Sequence, residues 1–216
     1  MSQKILQLKN RDNSVKEFNE CIRQGIPSAV FGVTDAFKNY MVAALDEKVL
    51  FIAKDAVSAR YILEGVTELS RKKAVYLPPK DEVLLHSRAF SKDNLYARID
   101  ALYNISTADI VITTAESLMQ TVPKNIKALK IVKDTDLSQD GTVTKLVQMG
   151  YSRVDTVASK GTFALRGDIL DVFPINGEKP YRVDFFGDEV ESIAEYDLNT
   201  GLKKNKVEAL RRGAPA

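Results

Sequence analysis

The sequence predicts a mixed α/β chain in two parts, a parallel-sheet domain over residues 1–124 followed by a smaller, β-rich α+β domain over 125–210. Three observations lead there. In the first half, short continuous apolar runs alternate with helical stretches, the pattern of strands covered on both faces by crossover helices. Past Pro123 the pattern changes to closely spaced strands with period-two alternation. The length, 216 residues, is comfortable for two small domains.

In the first part, Ser14 to Gln24 places Val15, Phe18, Cys21 and Ile22 on one helical face, with Asn13 or Ser14 as the cap. Ser28-Ala29-Val30-Phe31 reads as a first strand ending at Gly32, and a helix then runs through Leu45. Val49 to Ala53 is a second strand, and Asp55 caps a helix carrying Ala59, Ile62 and Val66. Ala74 to Leu77 is a third strand, stopped by Pro78-Pro79. A helix with Leu95, Ile99, Leu102 and Tyr103 precedes the fourth strand, Ile110 to Thr113.

In the second part, Ile126 to Val132 alternates weakly and a short helix lies around Thr144 to Met149. Strands follow at Arg153 to Val157, Phe163 to Leu165, Ile169 to Phe173, Tyr181 to Phe186 and Val190 to Tyr196, with Asn176-Gly177 as a hairpin signal. Lys203 to Lys206 reads as a basic loop, Val207 to Leu210 begins a further strand, and residues 211–216 read as a tail or the start of a downstream part.

Composition excludes several classes. One cysteine permits no intrachain disulfide, and no run approaches the roughly 20 apolar residues of a membrane span, so the chain reads as cytoplasmic. A net charge of +2 and a pI near 8.5 fall short of the strongly basic balance of a dedicated nucleic-acid binder. His86 stands alone without partners at ligand spacing, so no metal is expected, and Cys21 on its apolar face reads as a small core residue. No cofactor and no homo-oligomer are indicated.

Gly32-Val33-Thr34-Asp35-Ala36-Phe37-Lys38-Asn39 stands where a strand would hand over to a helix, the place of a phosphate-cradling loop of the form G-x-x-x-x-G-K-[ST]. Gly32 and Lys38 match. Phe37 stands at the second glycine, where bare backbone must close around phosphates, and Asn39 replaces the hydroxyl that would hold Mg²⁺. Asp35 adds a negative charge that opposes a triphosphate. The loop is therefore read as a degenerate nucleotide loop without function, and no residue of the chain is read as catalytic.

Two blocks carry a resemblance. Gly161-Thr162-Phe163-Ala164-Leu165-Arg166-Gly167-Asp168-Ile169-Leu170-Asp171-Val172-Phe173-Pro174 is one, and Pro180 to Ile193, containing Tyr181-Arg182-Val183-Asp184-Phe185-Phe186-Gly187-Asp188, is the other. Together they resemble the UvrB homology module shared by the excision-repair protein UvrB and the bacterial transcription-repair coupling factors. Lys80 to Asp93 is too short for the aromatic DNA-gripping hairpin of the UvrB family, and Asn94 to Leu102 with Glu116 to Gln120 look like the coupling-factor version. The resemblance implies a P-loop-NTPase-like parallel-sheet domain with a degenerate P-loop, followed by a small domain, as in UvrB domains 1a and 2. It implies that this second domain binds UvrA, with Arg166, Arg182 and Phe186 matching the family's contact positions. It places an ATP-driven DNA translocase motor of helicase superfamily 2, and the RNA polymerase and DNA contacts, in downstream parts of the parent protein.

The residues themselves agree with a docking surface. Alternation along Tyr181 to Phe186 puts Tyr181, Val183 and Phe185 on one face and Arg182, Asp184 and Phe186 on the other. An exposed ring beside an arginine is the composition of an interface hot spot, and Glu189 or Glu195 supplies a rim charge. The alternatives are a UvrB-type ATPase fragment and a DNA-binding module using Arg71-Lys72-Lys73 and the arginines of the second domain. Arg166-Gly167-Asp168 as an integrin-type tripeptide is read as coincidence.

Overall fold

The chain divides into two compact units, Met1–Thr121 and Val122–Ala216. The computed structural model describes residues 13–80, 92–122 and 128–213. His86 and the proposed boundary at residue 124 lie outside the described residues, as does most of the Lys80 to Asp93 segment.

In the first unit, three apolar runs form strands β1 (Val49–Ala53), β2 (Ala74–Leu77) and β3 (Ile110–Thr114). They pair in parallel in the order β1-β3-β2, so the last strand in sequence is central. The helices are α1 (Asn13–Arg23), α2 (Asp35–Ala44), α3 (Ala56–Leu69), α4 (Lys92–Asn104) and the short α5 (Ala115–Met119). Asp55 starts α3 by accepting a 2.7 Å hydrogen bond from the Ser58 N–H, which satisfies an orphan donor of the first turn. Ala59, Ile62 and Val66 of α3 bury against Ala53, Ile110 and Ile112, with Val49, Phe51, Ala74 and Tyr76 around them.

Two features depart from the sequence reading. Ser28 to Phe31 is not a strand: the segment is exposed, and Phe31 is 88% accessible. No sheet edge pairs with these four residues, bounded by Pro27 and Gly32, so the parallel sheet has three strands among the described residues rather than four. The sheet is also covered unequally. α3 packs on all three strands and α4 packs on β2, which leaves Leu50 and Ile52 of the edge strand β1 exposed among the described residues.

The second unit is built on a six-stranded sheet. Its strands are β5 (Ser152–Arg153), β6 (Thr162–Arg166), β7 (Ile169–Phe173), β8 (Tyr181–Phe186), β9 (Glu189–Tyr196) and β10 (Lys203–Lys206), in the order β10-β9-β8-β7-β6-β5. All pairs are antiparallel except β5–β6. The basic stretch Lys203 to Lys206 is thus an edge strand rather than a loop, and its lysines suit an edge that must resist further pairing. Arg153 to Val157, read as a strand, pairs only at its start, through Ser152 and Arg153. Asn176-Gly177 lies in a seven-residue connection between β7 and β8, where the Gly177 N–H bonds the Pro174 carbonyl at 3.2 Å, instead of in a two-residue hairpin. α6 (Gln139–Gln148) starts at Ser138, whose hydroxyl accepts from the Gly141 N–H. Strands β4 (Ala128–Val132) and β11 (Ala209–Gly213) form a separate antiparallel pair, so the last strand runs to Gly213, into the segment read as a tail.

Candidate functional site

The β6–β7 and β8–β9 connections are the same dipeptide, Gly-Asp, at the same end of the sheet. Gly167 has φ +57° and Gly187 has φ +61°, the left-handed backbone that a two-residue hairpin asks of its first loop residue. Arg166 and Phe186 are the residues immediately before these turns, so each ends a strand at the rim. The Phe185 N–H ties the two hairpins together by donating to the Asp168 carbonyl at 2.8 Å. Arg166-Gly167-Asp168 is thereby a hairpin turn of this sheet.

The alternation along β8 has the expected sense. Tyr181, Val183 and Phe185 are buried, Arg182 and Asp184 are half-buried, and Phe186 is 78% exposed. Across the outward face, register aligns Ala194, Arg182, Asp171 and Ala164 in one row and Ser192, Asp184, Ile169 and Arg166 in the next. The alanines are small and buried, leaving the middle of the first row to the long side chain and its partner.

That partner is Asp171, which the sequence reading did not single out. Its side chain is 2% exposed, and both arginines converge on it. Arg182 donates from Nε to Oδ1 at 2.6 Å and from Nη2 to Oδ2 at 2.8 Å, a bidentate fork. Arg166, reaching diagonally from β6, donates from Nη2 to Oδ2 at 2.8 Å. Arg182 also donates from Nη1 to the Gly201 carbonyl at 3.2 Å, and its Cζ lies 4.8 Å from the Tyr196 ring centroid. The hydrogen bond to Asp171 raises the Arg182 guanidinium above its ordinary pKa. Burial pushes the Tyr196 phenol up to about 12, the Asp171 carboxylate adds to the rise, and Arg182 and Arg166 oppose it.

The three predicted residues therefore stand on one face but differ in what they present. Phe186 is free ring surface, with Ile169 partly exposed on the same face. Arg166 is 56% exposed although anchored, and Arg182 is 19% exposed and turned inward onto Asp171. Glu195 is held by Lys179 at 2.8 Å and Asn205 at 3.0 Å, so its charge is already engaged, and Glu189 pairs in register with Phe186 beside the β8–β9 turn. A cross-strand charge in the sequence could have pointed to Asp171: it is an acidic residue inside an otherwise apolar strand, Ile169-Leu170-Asp171-Val172-Phe173.

The Gly32 to Asn39 loop has a different fate. Thr34 caps α2, its hydroxyl accepting from the Phe37 N–H at 3.3 Å, so that backbone donor is taken. Lys38 Nζ bonds Asp35 Oδ1 at 2.9 Å, one turn away, and this bond with its attendant charge holds the Asp35 carboxyl below the usual carboxylate range. Phe37 packs with Val15, Tyr40 and Ala44. Asn39 is buried against Gly65 of α3, and its Nδ2 donates to the Tyr61 carbonyl at 3.5 Å. The Phe37 and Lys38 N–H groups and the lysine side chain are thus engaged within the protein.

Residues 129–212 match the UvrB interaction domain family. The matched segment holds the six-stranded sheet and most of the β4–β11 pair. The chain around it is 31% identical over 180 residues to the transcription-repair-coupling factor of Escherichia coli strain K12, covering 79% of the chain. It is 34% identical over 151 residues to that of Mycobacterium bovis, covering 59% of the chain. It is also 31% identical over 196 residues to the UvrABC system protein B of Clostridium botulinum strain Langeland, covering 80% of the chain. The chain spans 16% and 12% of the two coupling factors and 30% of the UvrABC protein. Arg166, Asp171, Arg182 and Phe186 all lie inside the matched segment.

Proposed function

We propose that the chain is a non-catalytic docking module that binds UvrA and, as the N-terminal part of a transcription-repair coupling factor, brings nucleotide excision repair to a stalled RNA polymerase. The observation that carries this reading is Phe186, a large ring left in solvent at a hairpin end of a UvrB interaction domain, with Arg166 on the same face. A ring and a guanidinium on rigid strands form an anchor whose conformational entropy is already low. The test is co-purification of the chain with UvrA, wild type against Phe186→Ala. Loss of the complex by a folded variant supports the reading; an undiminished complex refutes the anchor.

We propose further that the first unit is a degenerate P-loop-like domain. The similarity to UvrABC system protein B favours a rival reading, an ATPase fragment of that type. Asn39 packed on Gly65 argues against it, because that buried amide stands where a hydroxyl would have to reach Mg²⁺, and Asp35 competes with phosphate for Lys38. Isothermal titration with ATP and Mg²⁺ separates the two: we expect no heat of binding, and micromolar binding abolished by Lys38→Ala would overturn our reading. Binding to DNA that falls steeply with salt would favour the DNA-binding module instead.

A further inference from the structure

From the geometry of the outward face we infer that Asp171 is a positioning residue for partner binding, holding Arg166 in place as the cation presented to UvrA while Arg182 serves as its internal counter-ion. The inference rests on the proposed UvrA docking and assigns different tasks to the two arginines.

Two guanidinium groups share one buried carboxylate. The pair Arg182–Asp171 is neutral as a unit, and both of its charges lie low in the face: Asp171 is enclosed and Arg182 is bonded to it, to the Gly201 carbonyl and over Tyr196. In the neighbouring row Asp184 is paired with Lys203, so the charge left over on these two rows is the one net positive charge of the Arg166–Asp171–Arg182 cluster, presented by Arg166. That side chain would ordinarily sample many rotamers, and fixing it on binding would cost affinity. The 2.8 Å bond from Nη2 to Asp171 removes most of that freedom beforehand. Arg166 remains 56% exposed, so the rest of its fork is open to an acceptor on the partner.

Arg182 has a second task in this arrangement. Its fork occupies Oδ1 and one side of Oδ2, which leaves Oδ2 alone for Arg166 and so sets the direction from which Arg166 must come. The Gly201 contact ties the same guanidinium to the β9–β10 turn, where Leu202 is exposed. Arg182 then acts on the partner through Asp171 and the turn.

The experiment is a double-mutant cycle measured by titration calorimetry between this chain and UvrA, using Asp171→Asn, Arg166→Ala and the pair. Asparagine keeps the shape but presents an amide donor to the guanidinium groups. We expect Asp171→Asn to weaken UvrA binding about tenfold, and Arg166→Ala to have less effect in the Asp171→Asn background than in the wild type. A residue that only stabilised the fold would lower the melting temperature without this coupling. Equal or tighter binding by folded Asp171→Asn, or strictly additive losses, would overturn the inference. If that variant does not fold, ¹⁵Nε relaxation of Arg166 in the wild-type chain decides: an ordered side chain supports the clamp, and a freely reorienting one overturns it. Failure of the wild-type chain to bind UvrA would remove the docking reading and this inference with it, whereas wild-type binding with an indifferent Asp171→Asn removes the inference alone.

Discussion

Phe186→Ala isolates the binding contribution of a side chain that does little for the fold. The ring is 78% exposed, and its in-register neighbour Glu189 is a charged residue at the β8–β9 turn. Aromatic side chains bury about 150–250 Å² when enclosed, so docking can remove on the order of 150 Å² of this ring from water. At roughly 25 cal/mol per Å² that is about 4 kcal/mol, an upper value because alanine retains its β-carbon and the partner surface is not perfectly complementary. A loss of about 2–4 kcal/mol follows, or roughly 30- to 900-fold in the dissociation constant. Stability should change by less than about 0.5 kcal/mol, as for surface sites without packing. Titration calorimetry against UvrA gives the first quantity and thermal denaturation the second. A folded Phe186→Ala chain that binds within threefold of wild type refutes the assignment. A large fall in stability would show instead that the ring supports the sheet.

Arg182→Lys keeps the charge but loses the fork on Asp171 and the stacking on Tyr196, so we expect it to lower stability by about 1–3 kcal/mol, read as a fall of several degrees in the melting temperature; an unchanged melt would refute the structural role. Gly65→Ala should destabilise the first unit, because a β-carbon there would lie 2.0 Å from Asn39 Nδ2 and 2.5 Å from its Cγ, and Asn39→Ala in the same chain should recover part of the loss. The recovery should be incomplete, because the β-carbon that alanine keeps at position 39 would still lie 2.9 Å away, and two additive melts would show that the α2–α3 contact is not what Gly65 protects. Asp197 is held down to about 2, first by the Lys204 hydrogen bond and then by the Thr200 and Asn199 N–H groups. Its contribution to stability is therefore complete above the unfolded pKa of about 3.9, is lost as pH falls through about 2, and should be absent from Asp197→Asn. A carboxyl ¹³C titration midpoint near the ordinary value would refute this.

Much of the fold was legible because its strands follow local rules. Val49 to Ala53 and Ala74 to Leu77 are apolar runs with β-branched or aromatic residues between clear stops, and Tyr181 to Phe186 alternates with period two. These patterns need no knowledge of the neighbouring strand. Ser28 to Phe31 passes the same local test and fails, because a strand also needs a paired edge, and the parallel sheet ends at β1 without receiving it. Lys203 to Lys206 fails the local test and succeeds, because β9 offers it an edge to pair with and both of its ends are fixed, Lys203 opposite Tyr196 and Lys206 opposite Ala194. The loss at the first segment and the gain at the second have one cause, the availability of an edge partner, which composition cannot report.

The candidate site divides along the same line. Alternation along a single strand is enough to place Phe186 outward and Val183 inward, and the Gly-Asp turns mark where the strands end. What a polar side chain does on that face depends on residues two strands away. Arg182 and Arg166 read alike from sequence, as cations on outward positions, yet one lies beside a carboxylate in register and the other reaches the same carboxylate from a diagonal. A charge that finds a buried counter-ion is largely withdrawn from long-range recognition, while a charge that finds only a share of one still acts outward. The number of arginines on the face is therefore a poor guide to its potential. Counting each guanidinium against the carboxylate oxygens it engages leaves Arg166 as the more outward-acting of the two arginines.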